Sequence, residues 1–184
     1  MITYKNQLEQ NSQEWLELRN NFVTGTDAYD LLNGKSISEI LDKKRNDHFQ
    51  GNRFTERGHR LEPEAKEIYS ALFEPVQNVG FVVNDKFPFC GVSPDGLVGE
   101  KGLVEVKAFN EKRHFAVFQN LDSHIIAQTQ YQLFVTEREW VDLVLYNPDI
   151  EDPHKAFLTR RLFPNPPIQY KLEEIFKKEL ENAK

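Results

Sequence analysis

The chain has 184 residues, a length that favours a single domain of ordinary size. Hydrophobic residues make up 39% of it and aromatic residues 12%, a composition that excludes a disordered or low-complexity protein. The single cysteine, Cys90, excludes an internal disulfide and a zinc site built from cysteines. No stretch approaches the roughly 18 apolar residues of a membrane helix, and nothing near Met1 resembles a signal peptide. We therefore expect an intracellular, cytoplasmic protein without a membrane partner.

The formal net charge of -6 argues against a protein that coats nucleic acid nonspecifically. The charges are unevenly distributed, because basic residues dominate between positions 43 and 60 whereas acidic residues dominate between positions 137 and 152. The basic segment could contact phosphates while the acidic segment faces away from them. Both segments are equally explained as solvated faces.

The spacing of apolar residues predicts a helical first third, a strand-rich middle and a helix at the carboxyl end. Predicted helices lie at about 15–19, 26–33, 37–45, 61–72, 122–135 and 170–182, and predicted strands at 80–83, 90–98, 103–107, 140–146 and 156–162. Turn-forming residues separate the three strands between positions 80 and 107, so these strands predict an antiparallel meander.

Polar residues indicate where the early helices begin. Ser12 is expected to cap the first helix and Thr26 the second, and Ser36-Ile37-Ser38-Glu39 has the spacing of a capping box. A loop is expected over 46–52. Pro63 leaves two alternatives open for the next helix, which either begins at Pro63 or starts near Thr55 and is kinked.

The most informative segment is Ser93-Pro94-Asp95-Gly96-Leu97, followed by the predicted strand 103–107. Alternate side chains of a strand share a face, so Glu105 and Lys107 point into the same space. Hairpin pairing would carry Asp95 beside Glu105. Two carboxylates next to an ammonium favour a hard divalent ion such as Mg²⁺. Such an ion would lower the pKa of a bound water, and Lys107 could orient or deprotonate that water or stabilise the transition state.

The same residues also have an ordinary explanation, with Asp95 as a turn former and Glu105 and Lys107 on the solvent side of a strand. Short motifs of this kind recur by chance.

The wider pattern, however, resembles the PD-(D/E)xK nuclease superfamily and, within it, the lambda-exonuclease-like, YqaJ-type viral recombinase nucleases. The matching segments occur in family order at residues 15–19 with 24–27, 57–64, 91–97, 103–107 and 127–130. Five ordered matches are far more specific than one.

The resemblance implies roles for particular residues. Glu62 would be the carboxylate on the helix before the sheet, Asp95 the shared metal ligand and Glu105 the second ligand. The main-chain carbonyl of Val106 would complete the inner shell of the metal. Lys107 would be the catalytic lysine.

Two of the implied positions keep an alternative. Gln128 matches the glutamine that the family places near the reacting phosphate, but an exposed polar residue on an amphipathic helix would also explain it. Glu64 competes with Glu62 for the role of helix carboxylate, and the family spacing from Gly58 favours Glu62.

Arg19 and Thr26 match the positions that bind a terminal 5′-phosphate in this family. A helix that begins near Thr26 would present free N–H groups and a hydroxyl, and a guanidinium can bind phosphate through two hydrogen bonds. A helix cap beside a solvent-exposed arginine is the alternative explanation.

We therefore predict an α/β fold, with one domain over 1–184 and a PD-(D/E)xK restriction-endonuclease-like core whose central mixed β-sheet is flanked by helices. A helical part at 1–54 would precede the catalytic core at 55–163, and a helix at 168–184 would follow it.

The resemblance implies a DNA exonuclease that requires Mg²⁺, for which Mn²⁺ can substitute, and that degrades double-stranded ends in the 5′-to-3′ direction. It also implies a ring-shaped homo-oligomer such as a trimer, and a single-strand-annealing recombinase as partner in phage-type recombination in a bacterial host. Processivity is the weakest of these expectations, because a short chain with a net negative charge has little spare basic surface for holding a long duplex. A structure- or sequence-specific endonuclease and a non-catalytic DNA-end-binding protein remain alternatives.

Overall fold

A computed structural model of the chain describes residues 1–46 and 53–182, with side chains placed at all of these except 53–55. The strands are β1 (Ile2–Lys5), β2 (Val76–Gln77), β3 (Phe81–Asn84), β4 (Gly91–Val92), β5 (Gly96–Val98), β6 (Gly102–Lys107), β7 (Trp140–Tyr146) and β8 (Phe157–Leu162). The helices are α1 (Gln13–Arg19), α2 (Ala28–Leu32), α3 (Ile37–Asn46), α4 (Arg53–Leu72), α5 (Glu111–Gln119), α6 (Ser123–Thr136), α7 (Pro153–Ala156) and α8 (Pro166–Asn182). The predicted loop over 46–52 lies outside the described residues except for Asn46, which ends α3. Over the described ranges, no helix combines the length and apolar character needed to cross a membrane.

A five-stranded mixed sheet, in the order β2-β5-β6-β7-β8, forms the centre of the fold. Strands β6 and β7 are parallel, and the other neighbours are antiparallel. Helix α4 covers one face, where Val104 and Val106 pack against Leu61, Ala65 and Tyr69. Helices α5 and α6 pack against β7 on the other side. The predicted α/β fold, with a central mixed sheet flanked by helices, is confirmed.

The predicted antiparallel meander is wrong in one respect. Strand β3 pairs with β4 on one side and with β1 on the other in a separate three-stranded sheet, whereas β5 and β6 belong to the five-stranded sheet. The division falls at Ser93-Pro94-Asp95, between β4 and β5. Because Pro94 has no N–H to donate to a strand ladder, it favours an interruption of the pairing at this point. The strand β1 was not predicted, so the first third of the chain is not wholly helical.

The helix beginnings show two differences from the predictions. A 3-10 turn (Gly25–Asp27) precedes α2, and its cap is Thr24, whose side chain and that of Asp27 form a reciprocal capping box. Thr26 therefore lies inside the turn with an exposed side chain. Helix α8 begins at Pro166, before both predicted starts, at 168 and about 170, since proline is well tolerated in the first turn of a helix.

Helix α4 continues through Pro63 and resolves the alternatives at that position. It starts at Arg53, so the interpretation with an early start is the correct one. Proline has no N–H to donate. The carbonyl of His59, four residues before Pro63, therefore lacks the usual helical hydrogen bond.

A polar network around the buried Asp142 holds α4 against the central sheet. The Tyr69 hydroxyl donates to Asp142 Oδ2 at 2.6 Å, linking α4 to β7. Arg161 of β8 donates to both oxygens of the same carboxylate at 2.8 Å and lies over the ring of Trp140 at 3.6 Å. This network fixes the position of α4, and with it the position of Glu62, relative to the strands.

Candidate active site

The hairpin of β5 and β6 brings two carboxylates together. Gly96 pairs with Val104, so Asp95 lies beside Glu105, as the sequence predicts. The Oδ2 atom of Asp95 accepts a hydrogen bond from the main-chain N–H of Val106 at 2.7 Å. This bond fixes the Asp95 side chain at the edge of β6.

Glu105, Lys107 and Gln128 form a closed triangle of hydrogen bonds. Lys107 Nζ donates to Glu105 Oε1 at 2.6 Å and to Gln128 Oε1 at 3.0 Å, and Gln128 Nε2 donates to the same Glu105 Oε1 at 2.6 Å. Glu105 is only 2% exposed. Burial lowers the pKa of Lys107, but the charges of Glu105 and Asp95 outweigh burial and raise it overall, so Lys107 is protonated at neutral pH.

Gln132 joins this cluster and was not predicted. It lies one helical turn after Gln128 on α6, and its Nε2 donates to Glu105 Oε2 at 2.5 Å. The spacing of four residues from Gln128 is the signal in the sequence that could have identified it.

Glu62 reaches the cluster through Lys66, a second residue that was not predicted. Lys66 Nζ donates to Glu62 Oε1 at 2.9 Å and to the main-chain carbonyl of Asp95 at 3.0 Å. Glu64 is exposed and lies by the hydroxyl of Tyr146, where burial first and then Glu64 raise the pKa of Tyr146 to about 12. The structure therefore places Glu62, and not Glu64, beside Asp95.

Asp95 is the carboxylate with the strongest electrostatic conflict. Burial raises its pKa well above the usual range, and the negative charges of Glu105 and Glu62 raise it further. Lys107 and the N–H of Val106 oppose this shift only in part. A divalent cation would relieve this repulsion, and carboxylate and carbonyl oxygens are the donors that Mg²⁺ prefers, so the residues present fit such an ion.

Among the described residues, no three His, Cys, Asp or Glu side chains stand close enough together to form a complete metal-binding group. Two of the carboxylates are paired with lysines, Glu62 with Lys66 and Glu105 with Lys107.

One cavity of about 730 Å³ connects this cluster with Arg19 and Thr26, which line its other side. The Arg19 guanidinium lies 3.4 Å from the Thr26 hydroxyl and 3.5 Å from that of Thr24, and no carboxylate of the described residues forms an ion pair with it. Burial lowers the pKa of Arg19, and Asp27 opposes this effect. The exposed Thr26 hydroxyl and a guanidinium that forms no ion pair within the described residues make a pocket suited to an anion.

Trp15 links this anion pocket to the carboxylates. Its indole N–H donates to the carbonyl of Gly80 at 3.0 Å and to Ser93 Oγ at 2.9 Å, two residues before Asp95. Its ring lies under the Arg19 guanidinium at 4.3 Å. The four-residue spacing of Trp15 and Arg19 on α1 thus places one residue in contact with both halves of the cavity.

The basic and acidic segments of the chain meet rather than lie apart. Arg57 donates to Asn147 and, at 2.9 Å, to Asp149 of the acidic segment. Lys44 pairs with Asp27 at 2.7 Å. The segment 43–60 is therefore partly neutralised within the protein and offers fewer free cations to phosphates than its composition suggests.

Comparisons with known proteins give the family and the fold of the chain. The family model for the YqaJ-like viral recombinase domain matches residues 14–139. The alkaline exonuclease LHK-Exo from Laribacter hongkongensis is 27% identical, with a TM-score of 0.78 over 94% of both chains, and its structure in complex with dAMP gives 28% identity, the same TM-score and the same coverage. A phage related exonuclease from Haemophilus somnus 129PT, 13% identical, shares the fold with a TM-score of 0.58 over 92% of this chain and 99% of its own. Among curated protein sequences, none matches this chain.

Proposed function

This chain belongs to the YqaJ-like viral recombinase domain family, and from that premise we propose that it is a Mg²⁺-dependent DNA exonuclease that hydrolyses double-stranded ends in the 5′-to-3′ direction. The observation that carries the proposal is the single cavity that Asp95, Glu105 and Lys107 share with the Arg19–Thr26 pocket. An enzyme that cuts within a strand has no use for a pocket that holds a terminal phosphate. The structural likeness to an alkaline exonuclease over nearly the whole chain supports the same activity.

Asp95, Glu105, the carbonyl of Val106 and Glu62 would hold the metal, as the resemblance implies. When bound, Mg²⁺ supplies a water of lowered pKa and neutralises charge on the phosphate. Lys107, which is held by Glu105, places a positive charge beside the reacting phosphate and stabilises the charge that develops there.

Gln128 and the Arg19–Thr26 pocket would position the substrate. Gln128 holds the side chains of Lys107 and Glu105 in place through one hydrogen bond to each, and it lines the same cavity. Arg19 and Thr26 would bind the 5′-phosphate and hold the first phosphodiester bond over the carboxylates.

The biological setting belongs to the same proposal. The family description as a viral recombinase domain supports a role in phage-type recombination. A single-strand-annealing recombinase as partner is part of the same proposal. A ring-shaped homo-oligomer would keep DNA close to a protein that carries a net charge of -6.

A digestion series tests the activity. Linear duplex labelled at either the 5′ or the 3′ end, and covalently closed circular DNA, are incubated with Mg²⁺ or with a chelator. We expect degradation of the linear DNA only, with early release of the 5′ label and no release in chelator. Asp95→Ala should be inactive, whereas Glu100→Ala, on the exposed turn of the same hairpin, should be fully active.

Other outcomes identify the alternatives. Efficient cutting of closed circles would indicate an endonuclease, and early release of the 3′ label would reverse the proposed direction. Tight binding of DNA ends without cleavage in any divalent ion would indicate a binding protein.

A further inference from the structure

Gln132 is a buried polar side chain that the proposed mechanism does not use. It is 0% exposed and lines the catalytic cavity. Its Nε2 donates to Glu105 Oε2, whereas Lys107 and Gln128 both donate to Glu105 Oε1. The two oxygens of Glu105 are therefore held from two different directions.

The orientation of the Gln132 amide leaves one atom without a partner. An ionised carboxylate only accepts hydrogen bonds, so Gln132 must direct its NH₂ group towards Glu105. Its Oε1 is then buried with no hydrogen-bond partner among the described residues. An unsatisfied buried acceptor is unfavourable, and stability alone does not explain why a polar residue occupies this position.

Gln130 shows how a buried glutamine on the same helix is normally satisfied. It is 4% exposed, and its amide donates to the carbonyl of Phe163 and accepts from Asn165 and Gln169. These contacts join α6 to α8 and to the segment before it, and none of them involves Glu105. Both glutamines are buried on α6, but only Gln132 contacts the carboxylate cluster.

We propose that Gln132 is a positioning residue that fixes the carboxylate plane of Glu105 so that the residue can bind a divalent cation together with Asp95. Without this hydrogen bond, the Glu105 carboxylate is held only at Oε1 and can turn about its terminal bond. The inference rests on the proposed function, because it requires that Glu105 be a metal ligand. Hydrogen bonds from residues behind a metal ligand typically contribute 10- to 100-fold to metal affinity.

The test uses the full chain without DNA and measures Mn²⁺ binding by electron paramagnetic resonance. Gln132→Met keeps the length of the side chain but removes the amide, and we expect it to weaken Mn²⁺ binding by about 10- to 100-fold. In cleavage assays, the Mg²⁺ concentration for half-maximal rate should rise, and the rate should recover at high Mg²⁺. Gln130→Met is the matched control, which should lower the melting temperature and leave the Mn²⁺ affinity unchanged.

A second variant guards against misfolding of the first. Gln132→Asn keeps an amide but shortens the side chain by one methylene, and it should lose Mn²⁺ affinity in the same way. Wild-type affinity in whichever of the two variants folds, as checked by circular dichroism, would overturn the inference while the proposed function stands. A wild-type protein that binds no Mn²⁺, or binds it as well after Asp95→Ala, would overturn both.

Discussion

The charges of the three carboxylates in the cavity are balanced unequally. Lys107 pairs with Glu105 and Lys66 pairs with Glu62, whereas no lysine or arginine of the described residues forms an ion pair with Asp95. The main-chain N–H of Val106 is the donor that the structure gives to the Asp95 carboxylate. Asp95 is therefore the carboxylate on which an added cation acts most directly, and the two lysines set how the other carboxylates face it.

Substitution of Lys107 tests its role in the reaction. Lys107→Met should lower the cleavage rate by at least on the order of 10²-fold, the usual scale for a positioned catalytic group, with a much smaller change in DNA affinity. Single-turnover rates and binding isotherms measured separately check this. Lys101→Met is the control, since Lys101 lies on the exposed turn of the same hairpin. A normal rate per bound complex with weakened binding would make Lys107 a simple phosphate contact.

Substitution of Arg19 tests the anion pocket. The wild type should prefer 5′-phosphorylated over 5′-hydroxyl ends by about ten- to a hundred-fold, which corresponds to one charge-assisted contact of roughly 1.5 to 3 kcal/mol. Arg19→Ala should lose this preference mainly by slowing on phosphorylated ends, as initial rates on the two substrates would show. Arg45→Ala, on the exposed surface of α3, should keep it. Equal wild-type rates on both ends would remove the basis for the pocket.

The sequence determines the part of the site on the strands better than the part on the helices. Period-two alternation on β6 correctly places Glu105 and Lys107 on one face, and hairpin pairing correctly places Asp95 beside them. The sequence does not determine which of Gln130 and Gln132 faces the sheet, because packing against α8 and β7 sets the rotation of α6.

The same limit applies at the helix beginnings. Thr24 and Thr26 are both plausible caps by composition, and Asp27 decides between them through its hydrogen bonds to Thr24. The division of β3, β4, β5 and β6 between two sheets likewise depends on contacts distant in sequence, such as the pairing of β3 with β1. Local patterns identify elements and faces, and tertiary packing identifies partners.

The attachment of α4 to the sheet gives a prediction about stability. Tyr69→Phe removes the hydroxyl that donates to the buried Asp142 carboxylate, and it should lower the free energy of unfolding by about 1.5 to 3 kcal/mol, the usual range for a hydrogen bond to a charged group. Urea unfolding monitored by circular dichroism measures the difference. Tyr170→Phe should have no effect, because Tyr170 is 64% exposed. Similar small effects in both variants would show that the two bonds from Arg161 suffice to anchor Asp142.

The proposed function requires a molecule with a net negative charge to bind a polyanion. Its net charge is -6, and cations of the basic segment are used internally, as in the pairs of Arg57 with Asp149 and of Lys44 with Asp27. Three carboxylates line the cavity, and the ion pairs with Lys66 and Lys107 involve only two of them. A bound divalent cation would therefore change both the stability of the protein and its capacity to accept a phosphate.

This coupling can be measured through Asp95→Asn. Because burial, Glu105 and Glu62 raise the pKa of Asp95 in the folded state, the metal-free protein should lose stability as the pH rises from about 4, the usual pKa of an aspartate, through the raised value. The neutral amide avoids this loss and can still accept from Val106, so the metal-free variant should melt above the metal-free wild type at neutral pH.

Added Mg²⁺ should reverse the order of the two proteins. At a hundred times its dissociation constant, a ligand stabilises the folded state by about 2.7 kcal/mol, or roughly 5 to 10 °C for a chain of this size. The wild type should show such a rise in differential scanning calorimetry, and Asp95→Asn should show little, because it has lost a ligand. Asp152→Asn, at a partly exposed helix cap that does not line the cavity, is the control and should respond to Mg²⁺ as the wild type does. An equal rise in melting temperature in the wild type and in Asp95→Asn would mean that the cation binds elsewhere. A metal-free Asp95→Asn that melts below the metal-free wild type would mean that the Asp95 carboxylate stabilises the fold despite its negative neighbours.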